Sequence, residues 1–164
     1  MTVGDAGRHL TWTIATPFAL GAAIAAPVAN ADNLRLNNGV VVNVDTIKKH
    51  AGCTTDLHIN PQLQAAAQRH TIDVLNNRDL DSDVGSDGST VQDRARGVGY
   101  NGTVAETVAI NQSLAINGLD VMGTWYNRPD YYAIMSNCAN TQIGVWSENS
   151  PDRSVVVAVY GQPA

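Results

Sequence analysis

Asp87-Gly88-Ser89, Arg94, Gly99-Tyr100, Ala105-Glu106-Thr107-Val108-Ala109, Trp125, Tyr131-Tyr132-Ala133-Ile134-Met135 and Ile143-Gly144-Val145 follow one another along residues 87–145. Read in order they give a turn, a helix start, a lone carboxylate among apolar residues, an aromatic helix and an apolar strand. Upstream, Asn60 is an N-cap candidate, Pro61 suits the first helical position, and Leu63, Ala67, His70 and Val74 recur at helical spacing. Ser89 with Gln92 three residues on has the form of a capping box, with Gly97 ending a short helix. A longer helix is expected over about Leu114–Tyr126, with Leu119, Met122 and Trp125 on one face, and Pro129 restarts a shorter one through Met135. Thr141–Trp146 and Ser154–Tyr160 are rich in β-branched residues and read as a hairpin with a long polar loop over 147–153. Val155-Val156-Val157 predicts a strand buried on both faces. Helices first and antiparallel strands last predict an α+β fold, a three-layer α-β-α sandwich with a central antiparallel sheet.

Residues 1–31 carry Arg8 and His9 before an apolar run, Leu10–Val28, that ends in Ala29-Asn30-Ala31. This is the pattern of a secretory signal peptide cleaved before Asp32; the alternative is an uncleaved anchor, which Pro17 and Pro27 weaken. No second apolar segment long enough to span a bilayer follows. A single domain over residues 32–164 is expected, a monomer in which about two thirds of the chain's surface is buried. The removed segment holds the one Phe, Phe18, so the core must be built from aliphatic residues, Tyr and Trp.

Without Arg8 and Asp5 the 10 basic and 15 acidic residues become 9 and 14, and the net charge stays at −5. No Lys/Arg cluster is available to displace phosphate counterions, which argues against a nucleic-acid or anionic-membrane partner. Lys48-Lys49 reads as a solvated helix end. Cys53 and Cys138 are the only cysteines and, in an exported chain, read as one disulfide tying the first helical region to the last strands.

Taken together, the motifs on 87–145 resemble the CAP superfamily, which joins cysteine-rich secretory proteins, antigen 5 and pathogenesis-related proteins. The exported bacterial branch, actinobacterial in particular, is the nearest match, over about Val42–Gly161. The resemblance implies the same sandwich fold and a central cleft. Glu106 falls where the family's Glu-Asn-Ile-Ala motif places a cleft carboxylate, with Thr107 replacing the Asn. In relatives that Glu joins a second Glu and two histidines that hold a divalent metal. Here the family histidines correspond to Asp83 or Ser82 and to Tyr131, a poorer zinc set. No cofactor is therefore expected; a divalent cation held by Asp83 and Glu106 is the alternative.

His70 lies on the apolar stripe of its helix, and is either a core histidine or a partner reaching toward Glu106. His50 and His58 read as surface residues. Asp79, Asp81, Asp83 and Asp87 repeat at short spacing, yet the sixth and twelfth positions of a calcium loop hold Val84 and Thr90, so a solvated acidic turn is expected. Trp125, Tyr126, Tyr131 and Tyr132 form either core or an apolar ligand wall. No Gly-x-Ser-x-Gly or His-Glu-x-x-His signature is present. The resemblance extends to relatives that bind sterols or fatty acids. The expected function is that of a secreted or envelope-associated, non-enzymatic module binding a small apolar ligand or an extracellular protein partner through Glu106, Asp83, Tyr131, Trp125 and His70. The alternative is a metal-assisted hydrolase with Glu106 as base.

Overall fold

The computed structural model of the chain describes residues 1–2, 28–81 and 83–164. Most of the expected signal peptide lies outside the described residues, and so does Ser82. Among the described residues five helices and four strands follow in the order α1 (Val28–His50), β1 (His58–Ile59), α2 (Pro61–Asn76), α3 (Val91–Gly97), β2 (Thr103–Asn111), α4 (Gly118–Tyr126), α5 (Pro129–Ser136), β3 (Gln142–Ser150) and β4 (Arg153–Gln162). Among the described residues no helix is long and apolar enough to cross a membrane.

The strands form one sheet in the order β1-β3-β4-β2. β4 pairs antiparallel with both β2 and β3. β1 adds a two-residue parallel edge at Gln142 and Ile143 that the sequence did not suggest. β4 is buried along its length, as the Val155-Val156-Val157 run requires. Its alternation builds two cores. Val156, Ala158 and Tyr160 face α1, α4 and α5, where Val40, Val44, Trp125 and Met135 meet them. Val155, Val157 and Val159 face α2 and α3, against Leu63, Ala67, Val74 and Ala95. Three layers result.

Local chemistry sets the element ends. The Asn60 side chain accepts from the Gln62 and Leu63 amides at 2.8 and 3.2 Å, and Pro61 opens α2. The α3 capping box is formed by Thr90 and Asp93, one residue beyond the expected pair. Asn117 caps α4 by accepting from Asp120 N at 3.0 Å, so this helix begins later than Leu114. Leu119 does not join Trp125 on the buried face; it is 86% exposed, and Val121 takes that place.

The polar segment Asn33–Gly39 is helical, within α1. Two expectations need correction. Lys48 is buried, and its Nζ donates to the Asn137 carbonyl at 2.5 Å, because the last turn of α1 abuts the end of α5. Only Lys49, paired with exposed Asp56 at 2.7 Å, fits a solvated end. The β3–β4 loop is short: pairing runs to Ser150 and Arg153, leaving Pro151-Asp152 as the turn. The polar residues remain in strand conformation because α1 uses them, Asn33 Nδ2 donating to Ser147 O and Asn149 Nδ2 to Asn33 Oδ1.

Gly144 shows how closely α2 sits on the sheet. A Cβ there would lie 2.0 Å from Gln64 N and 2.2 Å from the Leu63 carbonyl carbon, so only glycine admits the first turn of α2.

Cys53 and Cys138 are joined, with a Cα–Cα distance of 5.2 Å and a sequence separation of 85. The bond ties the loop after α1 to the loop before β3. Closing a loop of this length contributes about 4 kcal/mol in the chain-entropy treatment. Replacing both cysteines by Ala should lower the urea-unfolding free energy by about that amount. A loss near zero would show that the two loops are held without the bond.

Candidate functional site

A single acidic residue in the β-branched run Val104–Ile110 has to find a partner or stay at the surface, because an unpaired buried carboxylate is costly. Glu106 does not lie in a loop; it is in β2, opposite Val159, and is 2% exposed. Its side chain points to the α2/α3 layer, where Arg94 Nη2 donates to Oε1. His70, fully buried on α2, brings Nε2 to 3.8 Å from the same oxygen, so the two alternatives for this histidine coincide: a core residue that faces Glu106. Glu106 Oε2 is buried with no hydrogen-bond partner among the described residues.

Arg94 is the residue the sequence named without a role. It is 1% exposed, and its guanidinium gathers the 83–89 loop: Nη1 donates to Ser89 O at 2.7 Å and Nη2 to Asp83 O at 2.9 Å. A second buried arginine, Arg153 at the start of β4, donates to Arg78 O at 3.0 Å and Leu80 O at 2.9 Å. The acidic segment therefore turns its carbonyls inward to two guanidinium groups. Asp79, Asp81 and Asp87 are exposed, the solvated turn expected of them, while Asp83, though on the same turn, has its carboxyl partly desolvated near Arg128 and Arg94. The signal for this arrangement lay in the lone charges themselves, Glu106 and Arg153 each adjoining an apolar strand.

Burial pushes the Glu106 carboxyl from 4.5 up to about 7, against the pull of Arg94. Packing around Asp83 raises its carboxyl too, with Arg128 and Arg94 opposing. Among the remaining candidates, Asp83 stands within electrostatic reach of both Glu106 and Tyr131, beside Arg94 and Arg128. Tyr131 and Trp125 belong to the core on the α1/α4/α5 side. Trp125 is fully buried and presents no face to an open cleft. Tyr131 is 4% exposed, and Arg128 stacks on its ring at 3.7 Å from the centroid. Tyr126 and Tyr132 meet edge to face at 5.1 Å on the outside of this layer. Thr107, in place of the family's Asn, is buried and hydrogen-bonded to the Tyr160 hydroxyl at 3.0 Å.

This set does not fit a divalent cation. An ion beside Glu106 would meet the buried Arg94 guanidinium, and among the described residues no three His, Cys, Asp or Glu side chains come together to hold a metal. A hydrolytic base must reach the proton it removes. Glu106 lies behind Arg94, and a polar pocket of about 300 Å³ between α2 and the 86–89 turn opens on Arg94.

The arrangement makes the pair structural, with Arg94 as the tie and Glu106 as a group that titrates. Folded Glu106 keeps its proton between 4.5 and about 7 while the unfolded chain has lost it. Its contribution is fully present below pH 4.5 and is lost as pH rises through 7, on the order of 3 kcal/mol. Glu106→Gln, which keeps the acceptor for Arg94, should flatten this pH dependence of the melting temperature relative to the parent chain. Arg94→Met should cost about 3–5 kcal/mol near neutral pH by leaving the loop carbonyls without donors, and more as Glu106 ionises, because the charge that favours its carboxylate is gone. A Glu106→Gln protein whose pH profile matches the parent's would contradict the assignment.

The model of the cysteine-rich secretory protein family, CAP, matches residues 32–160. No curated protein sequence matches the chain significantly. Among solved structures, the chain is similar to an outer surface protein from Borrelia burgdorferi, with 19% identity and a TM-score of 0.65 over 76% of this chain and 90% of that one. It is also similar to an extracellular protein containing an SCP domain from Bacillus anthracis, with 17% identity and a TM-score of 0.66 over 84% of this chain and 45% of that one. A cysteine-rich secretory protein from Staphylococcus aureus gives 15% identity and a TM-score of 0.58 over 83% and 40%. The chain spans less than half the length of these last two. With the fold, the disulfide and a family match over most of its length in agreement, the chain belongs to the CAP family of cysteine-rich secretory proteins.

Proposed function

We propose that the protein is an exported, non-enzymatic binding module that holds a small apolar molecule in the groove between α1 and α4. Export is supported by the expected signal peptide, by the Cys53–Cys138 disulfide and by relatives described as outer surface or extracellular proteins. The non-catalytic part of the reading is supported by the burial of Glu106 behind Arg94.

One observation carries the choice of site. A pocket of about 310 Å³ lies between α1 and the start of α4, lined by Leu36, Gly39, Ile116 and Gly118, with Arg35 at its rim. That volume is at the lower end of the range for small-molecule sites. Gly39 has no neighbour within 4 Å of where its Cβ would be, so the groove exists because this helix position lacks a side chain. Exposed Leu119 and Leu114, in and just before α4, continue the apolar surface. In this reading the ligand lies on the outer layer, away from Trp125 and Tyr131, whose rings belong to the core.

The test is binding of a panel of fatty acids and sterols to the protein from an exporting host, compared with Gly39→Phe. The variant should fill the groove, weaken binding at least about tenfold and leave the melting temperature equal or higher, since glycine is a poor helix former. Unchanged binding by a folded Gly39→Phe protein would remove the groove. Failure of the parent to bind any member of the panel would leave an extracellular protein partner as the function.

A further inference from the structure

β3 is paired along its whole length by β4, whereas on its other side β1 covers only Gln142 and Ile143, with Asn60 N donating to Ile143 O at 2.8 Å. Beyond Gly144 the outer edge faces the first turns of α1 and α2, and a pocket of about 320 Å³ lies there, lined by Asn33, Leu34, Asn37, Gln64, Trp146 and Glu148. A smaller pocket continues it along Asn37, Gln64 and Val145. The site uses the Leu34-Asn37-Val41 face of α1, while the apolar groove uses Leu36 and Gly39. It does not depend on the function proposed above.

The polar groups of this pocket are unbalanced. Asn33 Nδ2 is used by Ser147 O at 3.2 Å, and Asn33 Oδ1 is used by Asn149 Nδ2 at 2.8 Å. One amide oxygen of the lining is left over: Asn37 Oδ1 is buried with no hydrogen-bond partner among the described residues. Asn37 is 7% exposed and lines both pockets, so its oxygen is built into the wall. Native structures rarely leave such acceptors without a donor. Glu148 accepts from the Trp146 indole N–H at 3.0 Å, a neutral donor, and has no ion-pair partner among the described residues. No Lys, Arg or His lines the pocket.

We propose that this pocket is a binding site for an organic cation, an ammonium or guanidinium group carried on an apolar stem. The carboxylate supplies the opposite charge, the Asn37 oxygen accepts one of its N–H donors, and the stem lies against Trp146 and Leu34. An anion would meet Glu148 with no compensating charge. A neutral sugar would leave the carboxylate charge unneutralised.

The indole N–H of Trp146 reports on the site directly, and buried Trp125 serves as a control in the same spectrum. The protein is titrated at constant ionic strength with n-butylguanidinium, n-butylammonium, n-butanol and methyl glucoside, and both indole signals are followed by NMR. The two cations should move the Trp146 signal to saturation while Trp125 stays in place and the neutral compounds have no saturable effect. Glu148→Gln, isosteric and able to keep the Trp146 bond, should raise the Kd for butylguanidinium at least about tenfold, and Asn37→Leu should do the same. Equal saturation by butanol or the glucoside would overturn the proposal. So would an unchanged Kd in a folded Glu148→Gln protein, or a Trp146 signal that none of the compounds moves.

Discussion

Two buried guanidinium groups hold the segment on which the rest of the α2/α3 layer depends. Arg153 collects the carbonyls of Arg78 and Leu80, and Arg94 those of Asp83 and Ser89. Burying an arginine is unfavourable unless several acceptors meet it, and a loop of turned carbonyls provides them. The carboxylates of Asp79, Asp81 and Asp87 are left outside, and a pattern that invites a calcium reading becomes a solvated rim around two protein cations. Glu106 is drawn into the same network through Arg94. The position the family uses for a cleft carboxylate thus carries a tie between β2, α3 and the loop.

The sheet then decides which residues can act together. β4 contributes alternate residues to two separate cores, so Glu106 and His70 stand on one side while Tyr131 and Trp125 stand on the other. Asp83 stands within electrostatic reach of both Glu106 and Tyr131. Besides the pocket that opens on Arg94, pockets lie at the flanks of α1: toward α4, beside Gly39, and toward the open edge of β3, where polar acceptors collect. Both sites lie outside the centre to which the family resemblance points.

Much of the scaffold was legible. Asn60-Pro61 set the start of α2, Pro129 that of α5, and the unbroken Val155-Val156-Val157 run identified the strand buried on both faces. The cysteine pair gave the cross-link. β2 was not read as a strand because Glu106 and Thr107 interrupt its apolar pattern, and only the partners Arg94 and Tyr160, distant in sequence, make those residues compatible with burial. Ser147 to Ser150 looked like loop for the same reason: the polar side chains bond to α1 more than a hundred residues earlier. Lys48 is hidden by the end of α5, a contact no local pattern announces. The pockets were illegible in principle from periodicity, since each is assembled from α1 and elements remote from it in sequence.

The most direct test of where this chain binds is the set of intermolecular NOEs between dodecanoate and the methyl-labelled protein. Contacts to the methyl groups of Leu36 and Ile116 are the predicted result, placing the ligand between α1 and α4 with the Glu106 centre closed. In a complex that forms, contacts to Val108 beside Glu106, with none to Leu36 or Ile116, would contradict the account and return the binding site to the centre of the fold.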